Sequence, residues 1–187
     1  MALTRARLGL VIVLSYAAAN GAAAEPATFH LQRIRTTGAR LHALIERGLR
    51  DSPTFRALAA RLEQSDVIAY LIADMCAPPG IAARLTFLSA SGGVRYVVVR
   101  LRPLGSPLQE VAVLAHELQH AVEIADHASI VDADTLAREY LRIGHLNRAM
   151  PAGTAFDTRA AIAAGYQVLR ELEAAAHDVE VEALDNE

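Results

Sequence analysis

Residues 106–126, SPLQEVAVLAHELQHAVEIAD, are the most informative stretch of this chain. Ser106 can cap a helix, Pro107 suits a first helical turn, and Gln109 stands at the capping-box position. No other Gly or Pro follows in the stretch, so it predicts one long helix. The uncharged and apolar residues around its centre indicate a buried helix, in which titratable side chains need a partner or a ligand.

His116, Glu117 and His120 form the pattern H-E-x-x-H on this predicted helix. Residues four apart in a helix differ by about 40° around the axis, so both imidazoles point the same way and can share one metal ion. Glu117 stands beside that point, where its carboxylate can hold a water without binding the metal. Because Zn²⁺ takes imidazole nitrogens and keeps a position open for water, the pattern predicts a zinc site with Glu117 as the general base.

The alternative interpretation of this pattern is structural. His116 and His120 would then be core histidines satisfied by hydrogen bonds, with Glu117 on the surface, and so short a pattern can arise by chance. The apolar setting favours the metal, because burying two histidines and a carboxylate costs free energy unless they are paired or ligated.

The strands predicted from the sequence come before this helix. A short apolar run predicts a strand over 66–72, and alternating residues predict two more over 84–90 and 94–102. Gly92-Gly93 between the last two predicts a hairpin. Together these strands predict a small, mostly antiparallel sheet, and with the helices the fold class is α+β.

The remaining helices are predicted from apolar spacing and caps. Helical spacing predicts a first helix over 29–49, and Ser52 with Pro53 predicts the start of a second. After the motif helix we expect two more helices. One covers 134–143 and is ended by Gly144, and the other covers 157–176 with Asp157 as its N-cap.

The N-terminus reads as a targeting segment. Arg5 and Arg7 precede an apolar run over 8–19, and small residues follow at 22–24. The run is shorter than the roughly 20 residues of a membrane span, so residues 1–24 predict a cleaved signal peptide. Residues 25–187 are then expected to form a single domain, with a flexible tail from about residue 177, in an exported protein of the periplasm or the extracellular space.

Composition excludes several other classes of protein. The formal net charge is −3 with no basic stripe, so no nucleic-acid partner is expected. The single cysteine, Cys76, excludes an internal disulfide. No other apolar run is long enough to span a bilayer, so no membrane contact is expected after cleavage of the signal peptide.

The residues around His116, Glu117 and His120 resemble the active-site helix of the zincin metallopeptidases, which also surrounds H-E-x-x-H with uncharged and apolar residues. The order of elements over about 65–145 is similar too, with a small sheet and hairpin, the motif helix and a further helix. The stretch HELQHAVE is also similar to one in uncharacterised small exported bacterial proteins. The resemblance implies a zincin-like fold, His116 and His120 as zinc ligands, and Glu117 as general base.

The third zinc ligand is left open by this resemblance. Metzincins continue with a Gly and with a third His six residues after the second, whereas here positions 123 and 126 are Glu and Asp. Gluzincins instead take a Glu from the following helix. Glu139 fits that pattern, although it can equally form a surface pair with Arg142.

Glu123 competes with Glu139 for the third ligand. It lies three residues after His120 on the same helix, where it could bind the metal or orient a histidine from behind. The remaining carboxylate candidates are Asp126, Asp132 and Asp134.

Weaker predictions concern the surroundings of the metal. Tyr140 and His145 are candidates for stabilising an oxyanion. His127 reads as a helix-end histidine that interacts with the helix dipole rather than as a ligand. The strand over 94–101 is a candidate sheet edge, and in zincins such an edge aligns an extended peptide by backbone hydrogen bonds.

The sequence therefore predicts an exported, zinc-dependent metallopeptidase that hydrolyses peptide bonds of a peptide or protein substrate with metal-activated water. The alternative is a non-catalytic exported domain on the same scaffold, which binds zinc structurally or contacts a partner in the cell envelope. The substrate and its cleavage preference do not follow from the sequence.

Overall fold

A computed structural model describes residues 31–77, 80–146 and 156–185 of the chain, so the predicted signal peptide over 1–24 lies outside the described residues. In these ranges the fold is α+β, as predicted, with five helices and a small mixed sheet. In chain order the elements are β1 (Ile34–Arg35), α1 (Ala39–Asp51), α2 (Pro53–Glu63), β2 (Val67–Ala73), β3 (Ala83–Ser91), β4 (Val94–Leu101), α3 (Pro107–Asp126), α4 (Ala133–Ile143), β5 (His145–Leu146), β6 (Phe156–Asp157) and α5 (Arg159–Asp185).

The first predicted helix, 29–49, is wrong in its N-terminal half. Ile34 and Arg35 form the strand β1 instead, and α1 begins only after Gly38, whose backbone is extended. The β-branched and glycine residues between them disfavour helix, and pairing with β2 buries Ile34. The second helix is confirmed, since the hydroxyl of Ser52 accepts a hydrogen bond from the N–H of Phe55 at 3.0 Å.

The prediction of a mostly antiparallel sheet is wrong. The strand order is β1-β2-β4-β3, with β2 parallel to both β1 and β4 and only β3 antiparallel to β4. The predicted hairpin is present, and Gly92 and Gly93 both have positive φ values, 59° and 75°. The hairpin turn places β3 on the side of β4 that faces away from β2. β4 therefore lies between β2 and β3, and its buried residues 97–99 have a neighbouring strand on each side.

The predicted edge strand is therefore a different one. β4, proposed from the sequence as an edge, lies between β2 and β3, and β3 lies at the edge among the described strands. β3 also contacts α3. Any peptide added to this sheet beside the motif helix would pair with β3 and not with β4.

Helix α3 is the centre of the hydrophobic core. It contacts β2, β3 and β4 of the sheet and also packs along α5. Leu114 and Leu118 of α3 are fully buried together with Val97 and Val99 of β4. Burying a leucine side chain contributes about 1.5–3 kcal/mol, so the packing of the core holds this helix in place from several directions.

Both ends of α3 are anchored by side chains. At the N-terminus, the hydroxyl of Ser106 accepts a hydrogen bond from the N–H of Gln109 at 3.5 Å. At the C-terminus, the buried guanidinium of Arg95 donates hydrogen bonds to the carbonyl oxygens of Ile124, Ala125 and His127. The last carbonyls of a helix lack a full set of partners within it, so Arg95 supplies additional donors at this end of α3. Its guanidinium also donates hydrogen bonds to the carboxylate of Asp66.

The last two helices begin one or two residues away from the predicted positions. The N-cap of α4 is Asp132, which bonds the N–H of Thr135, and α4 ends at Gly144 as predicted. The predicted cap of α5, Asp157, is wrong, because the hydroxyl of Thr158 accepts the hydrogen bond from the N–H of Ala161 at 3.0 Å. Helix α5 also continues past the predicted end at 176, to Asp185.

None of the helices in the described ranges combines the length and the apolar character that crossing a membrane requires.

Candidate metal centre

Three potential metal ligands converge at the junction of α3 and β6. His116 and His120 lie one turn apart on α3, and Asp157 ends β6. One donor atom from each of the three lies within 4.8 Å of the other two. The Oδ1 atom of Asp157 is 3.3 Å from Nε2 of His116 and 3.9 Å from Nε2 of His120. This group could hold a metal ion.

The spacing of these atoms suits a small tetrahedral ion. Ligand atoms about 2.0–2.1 Å from a tetrahedral Zn²⁺ lie about 3.3 Å from one another. The separation of 3.3 Å between His116 and Asp157 meets this value directly, and the 3.9 Å to His120 requires an inward shift of a fraction of an ångström. Two imidazole nitrogens and one carboxylate oxygen also leave a fourth position for water or a substrate.

Asp157 reaches the site through the short sheet that follows α4. His145 pairs with Asp157, and Leu146 pairs with Phe156, in the antiparallel sheet of β5 and β6. The approach is close at Gly144, where an added Cβ would lie 2.8 Å from the carbonyl oxygens of both Asp157 and Tyr140. Only glycine allows β6 to lie so near the end of α4, so Gly144 helps to set the position of Asp157.

Glu123 contacts the ring nitrogen of His120 that faces away from Asp157. Its Oε2 atom is 2.9 Å from Nδ1 of His120, and the hydroxyl of Tyr140 donates to the same oxygen at 3.0 Å. The hydroxyl of Thr158 donates to the other oxygen, Oε1, at 2.6 Å. With Nδ1 bonded to a carboxylate, Nε2 of His120 is left to face Asp157. Such a support fixes the tautomer of a metal-binding histidine and makes it more basic.

The buried network around His120 shifts the pKa values of both its members. Burial alone would lower the pKa of His120, but the hydrogen bond that its ring donates to Glu123 and the nearby carboxylates of Glu117, Glu123 and Asp157 raise it. Burial would raise the pKa of Glu123, but its bonds to His120, Thr158 and Tyr140 lower it. Both shifts favour the ionised form of the metal-free pair, an imidazolium beside a carboxylate.

His116 has the opposite environment. Burial lowers its pKa, and the neighbouring His120 lowers it further, while Asp157 and Glu123 only partly compensate. The imidazole of His116 is therefore neutral near pH 7, which is the form that binds a metal. Its ring lies edge-on to that of His120, with the two centroids 4.9 Å apart.

Glu117 is a buried carboxylate beside these ligands. Its exposed fraction is 6%, and burial raises its pKa to about 7, with the charge of His120 and the backbone of Leu85 acting in the opposite direction. A carboxyl group with a pKa near 7 can both accept and release a proton at neutral pH. The structure places Glu117 beside the three candidate ligands but outside their group, as the helical spacing predicted.

A cavity of about 470 Å³ opens onto this site. Its walls include His116, Glu117 and Asp157, together with residues from the start of β3, from the first half of α3 and from α5. Of the two histidines, only His116 is among the lining residues. The cavity is large enough for part of a peptide to approach the candidate metal ligands.

Glu139, the first candidate for the third ligand, lies elsewhere. Its carboxylate forms ion pairs with Nε2 of His127, at 3.2 Å, and with Arg142, and it is not part of the group that could hold a metal. The surface pair with Arg142 that the sequence allowed is present. Glu123, the second candidate, acts on His120 and is likewise outside the group.

Two of the other three carboxylate candidates have structural partners. Asp126 bonds Arg61 at 2.7 Å, Asp132 caps α4, and Asp134 lies in the first turn of α4. None of these three belongs to the candidate metal group among the described residues.

Tyr140, the first of the two oxyanion candidates, does not lie at the open side of the site. The hydroxyl of Tyr140 is buried 3.1 Å from Nδ1 of His120, the nitrogen that faces away from Asp157, and its pKa is raised by burial and by Glu123. Tyr140 therefore supports His120 and does not face the cavity. The side chain of His145 lies outside the described part of the structure.

Asp157 is the functional residue that the sequence analysis missed. Two residues that can cap a helix, Asp157 and Thr158, stand next to each other before α5, and only one cap is needed. Thr158 takes that role, and Oδ1 of Asp157, which accepts a hydrogen bond from the backbone N–H of Thr158, lies close to His116 and His120. This redundancy was the available signal, but the sequence could not show that the start of α5 lies against α3.

We compared the chain with protein-family models, with curated proteins and with solved structures, and none of the three comparisons gave a match. The three donor atoms, the buried carboxylate and the cavity beside them are therefore the observations on which a function can be proposed.

Proposed function

We propose that this protein is a zinc-dependent, zincin-like metallopeptidase in which His116, His120 and Asp157 bind the zinc ion and Glu117 is the general base. The observation that carries the proposal is the convergence of the three donors with Glu117 beside them at the end of an open cavity. Asp157 replaces Glu139 and Glu123 as the third ligand in this proposal.

Zinc is the metal that this donor set favours. Two imidazoles and one carboxylate with an open fourth position are typical of catalytic zinc sites. Calcium and magnesium prefer sites built wholly from oxygen, and a structural zinc site usually has four protein ligands. When bound, zinc would lower the pKa of a water molecule and polarise a carbonyl group.

Glu117 supplies the proton transfers. Its pKa of about 7 lets it accept a proton from a water molecule at neutral pH as that water attacks the carbonyl carbon of a peptide bond. It can then return the proton to the nitrogen of the leaving amine, so that the carboxylate is regenerated. Because Glu117 is buried, few water molecules compete for its proton.

His120 and its supports would keep the geometry fixed during the reaction. Glu123, Tyr140 and Thr158 form hydrogen bonds that hold the ring of His120 in one orientation. Preorganised ligands do not have to be ordered when the substrate binds, which is an advantage in catalysis. A network of this kind is also costly to bury without a function.

The β3 edge supports a peptide as the substrate. Among the described strands β3 has a partner on one side only, it contacts α3, and the backbone of Leu85 lies close enough to affect the pKa of Glu117. An extended peptide pairing with this edge would be held near Glu117 by backbone hydrogen bonds. The signal-peptide pattern over 1–24 adds that the enzyme acts after export.

Zinc binding is tested with variants of two carboxylates. We expect purified protein to bind one zinc ion per chain in isothermal titration calorimetry, and Asp157→Ala to weaken binding by at least about 100-fold. Glu139→Ala is the matched control and should bind zinc like the unmodified protein. If Asp157→Ala binds zinc normally, or if Glu139→Ala does not, the assignment of the third ligand is wrong.

Catalysis is tested separately with Glu117→Gln. We expect this variant to bind zinc normally but to lose hydrolysis of fluorescently labelled casein by at least about 100-fold, because the amide cannot accept a proton. Zinc binding without any hydrolysis by the unmodified protein, over a broad set of unfolded substrates, would favour the non-catalytic zinc-binding domain instead.

A further inference from the structure

The four-stranded sheet has one face in the hydrophobic core and one face outside it. Leu71, Val97 and Val99 of the inner face belong to the same core as the residues of α3. Successive side chains of a strand point to opposite faces, so the neighbours of these residues lie on the other side of the sheet. We call that side the outer face. Among the described residues, none of the strand residues on the outer face belongs to the hydrophobic core.

The outer face carries arginines and tyrosines. Arg84 of β3 lies directly opposite Arg100 of β4 in the register of the two strands. Arg102 lies two residues further along, and its N–H still bonds across to the segment before β3, so it continues the same side. Tyr70 of β2 and Tyr96 of β4 stack on this side with their ring centroids 6.5 Å apart. We call these five residues the arginine face.

The three arginines of this face have no counter-charge in the described part of the chain. The arginines that form ion pairs there are others, namely Arg40, Arg47, Arg50, Arg61, Arg95 and Arg142. The carboxylate that follows β2, Asp74, accepts a hydrogen bond from the N–H of Cys76 at 3.1 Å instead. The Nε atom of Arg102 is buried without a hydrogen-bond partner among the described residues.

This arrangement is unfavourable for an isolated sheet. Like charges directly opposite each other on neighbouring strands are destabilising, as at Arg84 and Arg100. A guanidinium pairs strongly with a carboxylate through two parallel hydrogen bonds. The arginine face therefore gains stability when a partner brings carboxylates to it.

The composition of the arginine face is also typical of a protein interface. Arg and Tyr are enriched in such interfaces, and they supply much of the binding energy there. Arg84 is exposed, whereas Tyr70, Tyr96 and Arg100 are half-buried, so their side chains remain accessible to a partner. The face fits a protein segment that presents several carboxylates.

The chain itself contains such a segment at its C-terminal end. From residue 173 onward, six of 15 residues are Asp or Glu and none is Lys or Arg. Helix α5 continues to Asp185, whereas its last described residue in the hydrophobic core is Leu172. At about 1.5 Å per residue, the helix extends about 20 Å past the core. We call residues 173–187 the acidic end.

The arginine face of the same chain is out of reach of this acidic end. Helix α5 packs on α1, α2 and α3, and these helices share the core with the inner face of the sheet. A helix that continues straight on that side does not turn round the edge of the sheet to its outer face. A second copy of the chain has no such restriction, and a two-fold axis between the copies allows both contacts to form at once.

From these observations we propose that the chain forms a two-fold dimer, in which the arginine face of each copy binds the acidic end of the other. The contact is electrostatic, with the arginines paired to carboxylates of α5. The proposal concerns assembly and does not depend on zinc, so it stands or fails independently of the proposed function.

The dimer is tested by sedimentation velocity of the purified, metal-free protein. We expect a dimer at about 20 mM sodium chloride and self-association weakened by at least about tenfold at about 300 mM, because salt screens charges at a surface. A protein that stays monomeric at both salt concentrations would overturn the proposal.

Charge reversal identifies the face. We expect Arg84→Glu combined with Arg100→Glu to weaken dimerisation by at least about 100-fold, because like charges then face each other across the contact. Arg50→Glu combined with Arg159→Glu is the matched control, since it reverses two exposed arginines on helices and should leave the dimer unchanged. If the first variant does not fold, Arg84→Gln combined with Arg100→Gln removes the same charges and should weaken dimerisation by at least about tenfold.

A mixing experiment identifies the acidic end as the occupant. Asp178 and Glu182 are four residues apart, which is the spacing of one helix face. We expect Asp178→Arg combined with Glu182→Arg to be monomeric alone, as the Arg84→Glu, Arg100→Glu variant is. Mixed in equal amounts, the two variants should form a heterodimer, because the charges are complementary again at both contacts.

Other results of this experiment contradict the proposal. If the two variants stay monomeric when mixed, or if the control variant also loses the dimer, the arginine face does not bind the acidic end. If the unmodified protein is monomeric but sediments with phosphatidylglycerol vesicles through Arg84 and Arg100, the face binds an anionic membrane and not a second copy.

Discussion

The two histidines of the motif lie one turn apart on the same helix and have opposite surroundings. His120 is buried and bonded to Glu123 and Tyr140, and its pKa is raised. His116 faces the cavity, and its pKa is lowered. The comparison indicates that the two histidines differ in role. His120 is the anchor, held in place by its hydrogen bonds, whereas His116 forms part of the cavity wall that a substrate would meet. Identical residue types in one motif need not be equivalent.

We expect the greatest loss of stability from a change at Arg95, which contacts the C-terminal end of α3. Arg95→Met should lower the free energy of unfolding by about 3–5 kcal/mol in urea denaturation, because it removes a buried guanidinium that pairs with Asp66 and donates to carbonyl oxygens at the end of α3. Arg61→Met is the control, since Arg61 pairs with Asp126 near the same helix end but is largely exposed, and should cost less than about 1 kcal/mol. Equal effects would mean that Arg95 acts as an ordinary surface charge.

Removing each histidine from the metal-free protein tests the comparison directly. His120→Ala should lower stability by about 1–3 kcal/mol, because it leaves Glu123 buried without its main partner. His116→Ala should cost less, since it removes a ring that lines the cavity. Both variants should lose zinc binding. If thermal unfolding of the metal-free variants shows His116→Ala to be the less stable, the assignment of anchor and wall is reversed.

Glu123→Gln is expected to weaken zinc binding without removing it. The amide has one acceptor oxygen where the carboxylate has two, and it no longer supports His120 as a carboxylate does, so we expect about a 10- to 100-fold loss in zinc affinity in calorimetry. Glu139→Gln, on the neighbouring helix, should leave the affinity unchanged. An unaltered zinc affinity in Glu123→Gln would show that the contact between Glu123 and His120 has no effect on metal binding.

The pKa values of the two histidines should separate in the metal-free protein. In an NMR titration of the imidazole C–H signals, His120 should titrate above the ordinary value of about 6.5 and His116 below it. The raised pKa of His120 contributes stability that is present below pH 6.5 and is lost as the pH rises through its folded value. The lowered pKa of His116 contributes stability that is present above pH 6.5 and is lost as the pH falls. Signals that titrate together would contradict the comparison.

The smallest effect is expected at Gly165, behind His116. Gly165→Ala should change stability by less than about 1 kcal/mol, because the gain in helix propensity on α5 opposes the tight contact with Ala112 and His116. We expect a shift of only a few-fold in zinc affinity, since His116 would have to move slightly. Ala163→Gly, on the exposed side of α5, should lower stability without affecting zinc. A large loss of zinc affinity in Gly165→Ala would mean that His116 is as rigid as His120.

Local sequence signals predicted much of the fold. Ser52, Ser106 and the Gly92-Gly93 turn were recognised because a cap or a tight turn depends on residues only a few positions apart. The strand order was not predictable in the same way, because parallel pairing of β2 with β4 joins segments separated by a hairpin. The first helix was misjudged since its apolar spacing extends through residues that pair with β2 instead.

One part of the site follows from the sequence alone, namely the part that lies within a single helix. The period of the α-helix brings His116 and His120 to one face and puts Glu117 beside them, whatever surrounds the helix. The remaining features depend on contacts between distant segments: Asp157 completes the group, Glu123 supports His120, and Glu139 pairs with Arg142. The physical reason is that contacts between distant segments depend on how helices and strands pack, and packing is set by the whole core and not by any short pattern.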